Sequence, residues 1–520
     1  MINYWFIPRP KRKLNSIPEV LTTFAEVSLN QQWSGKKTTQ IDFENVIEEA
    51  GLKRKGERRD RGGSGGRTYA AWLESLGLIF KRKENQCIML TLAGESIMDG
   101  KPPVEILKNQ VLKFQYPSSY SISQGVDINR RFKIRPFRFI LQLLTDPQIN
   151  HLSLDELAFI VITEAENEST RCFEHVKSRI LEFRNQEMNS LPSDFYEKYH
   201  STRSKPETFY NALRDVANTM CNWVEYTQLA GRNINGDLVI FPEAVTEVTS
   251  ILATKLPFID NPADHEYFQR KYGIDPYHYK DTRNLAKTKT ITPQVLAEQR
   301  IRSAFITLTA KKPIVSITTQ TIETVSKSTG IKLTLVEDTL QKLYPYGAIG
   351  AFNASYFEMA FKGRENAIDF ELATTELFID VFQMKAQHLG QMGSTSTPDV
   401  LVISDKYKYQ GLIDNKAYSE YSISGDHHNR MVHNYIEKIN NYSTIDYPVR
   451  FFLYIAGGFT KNIDTQIKSI VDESGVHGSC ITVSTFLKMV ENQTTGKKRY
   501  SEEEILNIFT LDRQVRMSDL

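Results

Sequence analysis

The sequence predicts a multidomain protein, mainly helical in its N-terminal region and α/β in its C-terminal domain. Three observations carry this. At 520 residues the chain is too long for one ordinary hydrophobic core. Its first half twice follows an amphipathic helix with a short apolar hairpin. Its last third sets two apolar runs around a polar turn and then alternates helical and strand-like segments. The expected parts are residues 1–124, 125–255, 256–345 and 346–520.

Hydrophobic residues make up 40% of the chain and charged residues 24%, the balance of a globular protein rather than a disordered one. No apolar run approaches the roughly 20 residues needed to span a bilayer. The opening stretch from Met1 to Pro10 lacks the basic, apolar and small-residue order of a signal peptide, so a cytoplasmic location is expected. Four cysteines, Cys87, Cys172, Cys221 and Cys480, lie far apart with no CxxC pair, which argues against a zinc finger or a disulfide framework and for buried thiols. No Gly-x-x-x-x-Gly-Lys-Ser/Thr loop is present, so ATP-driven translocation is not expected.

A net charge of +2 is uninformative, but its distribution is not. Between Lys53 and Arg67 seven basic residues stand against two acidic ones, a cluster suited to a phosphate backbone. Within it, Arg58, Arg59, Arg61 and Arg67 surround glycines that let the backbone approach a surface closely. From Thr68 the spacing predicts a helix closed by Gly77, then two short strands within Leu78–Leu90, then a helix from Thr91. Helix, two-stranded wing, helix is the order of a winged helix. Helices follow over 152–165 and 172–183, and a long helix over 208–226 precedes a polar turn at Asn233–Asp237 and the strand Leu238–Phe241. A second recognition subdomain of the same kind is therefore expected over 125–255, with Arg130, Arg131, Arg203, Lys205 and Arg232 as candidate DNA contacts. Residues 256–345 read as a linker domain without chemistry. Trp5, Trp33, Trp72 and Trp223 are expected in cores rather than stacked on bases.

The C-terminal third carries the chemistry. A helix is expected over 370–383, and a Gly- and Ser-rich connection then leads to Pro398-Asp399 and the strand that follows. A turn at Lys406–Gln410 returns to a strand holding Asp414 and Lys416. Side chains alternate along a strand, so Asp414 and Lys416 share a face. Paired carboxylates suit Mg²⁺, a hard cation, and an ammonium beside them suits a phosphodiester. A helix over 428–441, a strand over 449–456, a helix over 462–473, a strand over 480–483 and a final helix complete the layout of a PD-(D/E)xK nuclease core. His427, His428 and His433 read as solvated residues at a helix start, and Tyr418 and Ser419 as either phosphate contacts or packing groups.

Residues 370–512 resemble the cleavage domain of the FokI type of type IIS restriction endonuclease. The resemblance rests on His388-Leu389-Gly390, Pro398-Asp399, the run Asp414-Asn415-Lys416-Ala417-Tyr418-Ser419, the strand ending Ala456-Gly457-Gly458-Phe459, and the tail from Ser501 to Leu506. The N-terminal region resembles the AlwI group of restriction and nicking enzymes through Trp5–Pro10, Leu92-Ala93-Gly94 and Leu112–Ser118. These resemblances imply Asp399 and Asp414 as ligands of Mg²⁺, with Mn²⁺ able to substitute, and Lys416 as the catalytic lysine. An upstream acid is also implied, Glu371 first and Glu376 second. Many relatives carry Glu where Asp414 stands, although the FokI-like subgroup uses Asp. The implied activity is cleavage of double-stranded DNA at a fixed distance outside a short asymmetric site, with a transient homodimer through the cleavage domain and a separate cognate methyltransferase. A strand-specific nicking enzyme and a non-catalytic DNA-binding regulator are the alternative readings.

Overall fold

Apolar residues spaced three and four apart give the N-terminal region its helices. Along Ile17–Ser28 that spacing buries Val20, Leu21 and Phe24, and along Lys37–Glu49 it buries Phe43 and Ile47. The Phe24 ring meets Trp33 and Phe43 edge-on at 5.0 and 4.9 Å. The structure, a computed structural model, describes residues 1–56, 62–99, 101, 103–123, 125–201, 205–233, 235–285, 293–309, 312–345, 347–361, 367–390 and 396–520. The chain divides into two units, Met1–Thr307 with Thr318–Pro345, and Leu308–Ile317 with Tyr346–Leu520. Residues 256–345 thus contribute mostly to the first unit and in part to the second. No helix among the described residues is long and apolar enough to cross a membrane.

In the first unit both expected helix–hairpin orders are present. The helix Ser64–Ser75 buries Tyr69, Trp72 and Leu73. Gly77 follows with φ +66°, and a Cβ there would lie 2.6 Å from the Tyr272 ring, so both conformation and space require glycine. Strands β1 (Ile79–Lys81) and β2 (Ile88–Leu90) then pair antiparallel. The helix Leu92–Met98 starts at Thr91, whose side chain accepts from the Gly94 N–H at 3.1 Å. The helix Pro206–Tyr226 precedes β3 (Ala230–Arg232) and β4 (Leu238–Ile240), with the Asn233 carboxamide oxygen accepting from the backbone of Asn235 and Asp237 in the turn between them. Trp5, Trp72 and Trp223 are fully buried and Trp33 nearly so, as the sequence suggests. Of the cysteines, Cys221 and Cys480 are buried, but Cys87 and Cys172 are only half-buried; all four are free thiols.

The second unit is built on a six-stranded sheet. Added to the strands above are β5 (Lys385–His388), β6 (Val400–Ser404), β7 (Tyr409–Lys416), β8 (Val449–Ala456), β9 (Gly478–Thr482) and β10 (Gln514–Val515), in the order β10-β9-β8-β7-β6-β5. The pairs β5–β6 and β6–β7 are antiparallel, and the pairs from β7 to β10 are parallel. Strands β6, β8 and β9 are buried apolar runs because helices cover both faces of the mixed sheet. On one face Leu401, Leu412, Phe452 and Tyr454 pack with Tyr435, Ile463 and Ile467. The helix Ala367–Glu376, continued by a wider turn over Leu377–Val381, packs across β5, β6 and β7. The sequence did not signal β5 or β10, and the single final helix expected after β9 is in fact two, Val483–Thr495 and Glu502–Phe509.

Candidate active site

The hairpin register places the acids. The register of β6 and β7 runs to the Val400–Ile413 pair, and the Asp399 carboxyl just before it lies close enough to Asp414 for the two side chains to interact directly. Asp399 is held by its backbone on both sides: its N–H donates to the Ile413 carbonyl at 3.1 Å, and its carbonyl accepts from the Leu389 N–H at 2.8 Å. Its Oδ2 accepts from the Asn415 N–H at 2.7 Å. Period-two alternation puts Lys416 on the face of Asp414, and Lys416 Nζ lies 2.8 Å from Asp414 Oδ2. Asp414 is 3% exposed.

The electrostatics follow from burial and like charge. Burial, then the neighbouring Asp414, push the Asp399 carboxyl well above the usual carboxylate range, against a smaller opposing effect of Lys416. Burial disfavours the Lys416 charge, but Asp414 and Asp399 outweigh it and hold the ammonium above its ordinary value. Glu371, on the Ala367–Glu376 helix, adds its field to that of Asp399 and places Oε2 2.8 Å from His388 Nε2. Glu376 has other neighbours: burial raises its carboxyl, with Lys312 and Asp380 as the charges around it.

Several residues that sequence reasoning missed complete the setting. Asn415 Nδ2 donates to Thr374 Oγ1 at 2.7 Å, and the Tyr356 hydroxyl meets the same oxygen at 2.8 Å, which ties β7 to the helix behind it. Tyr421, Tyr435 and Tyr454 are buried near Asp414, and Lys416 Nζ stands 6.0 Å from the centre of the Tyr421 ring. His427 Nδ1 contacts the Tyr421 hydroxyl at 2.7 Å, whereas His428 and His433 face Glu473. Tyr418 is half exposed and stacks on Tyr421 at 5.9 Å.

Among the described residues no three His, Cys, Asp or Glu side chains form a ready-made ion cage. The Asp399–Asp414 pair nevertheless suits a small hard cation: two neighbouring carboxyl groups share a buried site, where burial and then like charge hold the Asp399 carboxyl well above its usual range. Glu371 stands beside this pair rather than within it.

The candidate DNA contacts are dispersed. Arg67 Nη1 donates to Gln40 and to the Gly62 carbonyl at 3.0 and 2.5 Å. Arg131 donates to Asn3, to Glu166 and to the Thr163 carbonyl, and Arg232 to Asn218, Asn222 and Glu225. Arg130 and Lys205 are exposed. Arg58, Arg59, Arg61 and Arg203 lie outside the described residues.

Two neighbouring carboxyl groups and a lysine thus meet on the β6–β7 hairpin of the mixed sheet. Residues 330–516 match the family model of the FokI cleavage domain. Over that segment the chain is similar to the FokI cleavage domain. The chain aligns with the solved structure of restriction endonuclease FokI at 16% identity over 99% of each chain, with a TM-score of 0.28. FokI bound to DNA aligns at 14% identity over 95% of this chain and 89% of that one, with the same score of 0.28. The BpuJ1 endonuclease binding domain, solved with pyrene- and phenanthrene-modified DNA, aligns at 17% identity over 52% of this chain and 96% of that one, at 0.35. The chain matches no curated protein sequence.

Proposed function

We propose that the chain is a type IIS restriction endonuclease that reads a short asymmetric site in double-stranded DNA and hydrolyses phosphodiester bonds at a fixed distance outside it, using Mg²⁺ or Mn²⁺. The observation that carries this reading is the Asp399 carboxyl beside Asp414, with Lys416 Nζ 2.8 Å from Asp414, inside the segment matched by the FokI cleavage-domain model. In this reading Asp399 and Asp414 hold the ion and Glu371 completes its environment. The bound ion supplies Lewis acidity and a more acidic water. Lys416 is kept charged and aimed by Asp414, so it neutralises charge developing on the scissile phosphate.

Recognition falls to the N-terminal region, with its two helix–hairpin units acting as winged helices that enter the major groove. The exposed Arg130 and Lys205 are the preferred phosphate contacts among the described residues, with Arg58, Arg59, Arg61 and Arg203 beside them in the reading; Arg67, Arg131 and Arg232 serve chiefly as internal ties. The protein works in the cytoplasm with a separate methyltransferase protecting the host sites, and cleaves as a transient dimer of cleavage domains. Because one chain contributes one such acid pair, a strand-specific nicking enzyme is the second reading.

Sequencing the ends of DNA digested by the full chain with Mg²⁺ tests the proposal. Ends at a constant offset on one side of a single recurring sequence are expected. Ends scattered without a shared neighbouring sequence would contradict it, and breaks in one strand only would select the nicking reading.

A further inference from the structure

The segment His388-Leu389-Gly390 touches both the start of the β6–β7 hairpin and the Ala367–Glu376 helix. Three observations give it a role. His388 Nε2 stands 2.8 Å from Glu371 Oε2, and both side chains are about nine-tenths buried, at 8% and 12% exposure. Gly390 runs so close that a Cβ there would fall 2.0 Å from Glu371 Oε2 and 3.0 Å from His388 Nε2. The Leu389 and Gly390 N–H groups both point at the Asp399 carbonyl, at 2.8 and 3.3 Å. The segment that grips Glu371 is therefore the one that pins the backbone of Asp399.

We infer that His388 and Gly390 are positioning residues for Glu371. The imidazole engages one carboxylate oxygen and so fixes the rotation of the other, Oε1. The missing side chain of Gly390 lets the carboxylate come up against the strand end that carries Asp399. Without the imidazole, Glu371 is a carboxylate with several rotamers, and orienting it is left to the ion. An outer hydrogen bond of this kind is worth about 10–100-fold in metal affinity. The inference rests on the metal-dependent reading above and deepens it, since it names what holds the third acid.

Titration of Mn²⁺ alone into the full chain, followed by electron paramagnetic resonance, tests this without any turnover. His388→Ala is expected to weaken Mn²⁺ binding about tenfold or more, Gly390→Ala to do the same, and His388→Gln, which keeps a donor, to recover part of the loss. With Glu371→Ala in place, adding His388→Ala is expected to change nothing further, because the histidine acts only through that carboxylate. Raising Mg²⁺ is expected to restore cleavage by His388→Ala. Equal Mn²⁺ affinity of the wild type and His388→Ala overturns the positioning role while leaving the nuclease reading intact. Additive losses in the double variant also overturn it. A wild-type chain that neither binds Mn²⁺ nor cuts DNA sinks both.

Discussion

The Asp399 carboxyl, just before the Val400–Ile413 pair of the β6–β7 hairpin, interacts directly with the Asp414 carboxyl. The Asp399 backbone is fixed by hydrogen bonds to Ile413 and Leu389 on its two sides. Two buried carboxyl groups at this spacing repel when both are ionised, and the Asp399 carboxyl accordingly holds its proton well above the usual range, through burial first and Asp414 second.

Removal of either acid is expected to stop cleavage and spare folding. Asp399→Ala and Asp414→Ala should each lower the cleavage rate by about 100-fold or more, with DNA binding measured without metal nearly unchanged. Gel-shift and cleavage assays on the same preparations check this; parallel loss of binding and cleavage would place these residues in recognition or folding instead.

Lys416 is expected to resist conservative exchange. Its ammonium is a compact charge 2.8 Å from Asp414 Oδ2, in a side chain only 14% exposed. A guanidinium is planar and larger. Lys416→Arg should therefore lose about as much activity as Lys416→Ala, in single-turnover rates at saturating Mg²⁺.

Metal binding is expected to release protons. The Asp399 carboxyl is raised in the metal-free protein, so its protonated form contributes stability that is fully present below the unfolded value and lost as pH rises through the folded one. A divalent ion requires the ionised form and must expel that proton. Calorimetry of Mg²⁺ binding in buffers of different ionisation enthalpy should give a buffer-dependent heat, and affinity should rise with pH. A heat independent of buffer would contradict this.

Asp281 supports the first unit through Arg270 and Arg283, at 2.9 and 2.7 Å. Burial acts against its charge, but the Arg283 and Arg270 hydrogen bonds outweigh it and hold the carboxyl well below the usual range. Its contribution is then present above the unfolded value of about 4 and lost as pH falls below it. Asp281→Asn should destabilise the protein by about 2 kcal/mol at pH 7. The gap from wild type should close progressively in acid, as followed by denaturant unfolding at several pH values.

What the sequence made legible depended on burial. Strand β8 was readable to the residue because Phe451–Ala456 is an unbroken buried run, and the hairpin was readable because Gly and charged residues interrupt two such runs. Strand β5 was not, because Lys385–His388 holds no apolar residue larger than Ala386 and lies at the sheet edge, where pairing comes from β6 rather than from side-chain pattern. The acids and lysine were legible through local spacing on adjoining strands. The contact of Glu371 with His388 was not, since 17 residues separate them and only the packing of a helix across β5 brings them together. Nor could spacing distinguish an arginine free to meet DNA from one spent inside the fold. Arg131 looked the same as Arg130 in sequence, yet its guanidinium is taken up by Asn3, Glu166 and Thr163.

The most direct test is incubation of purified full-length chain with plasmid DNA, with Mg²⁺ and with chelator, beside Asp414→Ala. The account predicts discrete fragments from the wild type with Mg²⁺ and intact plasmid in both other lanes. An identical fragment pattern from Asp414→Ala, or from the wild type in chelator, would contradict it.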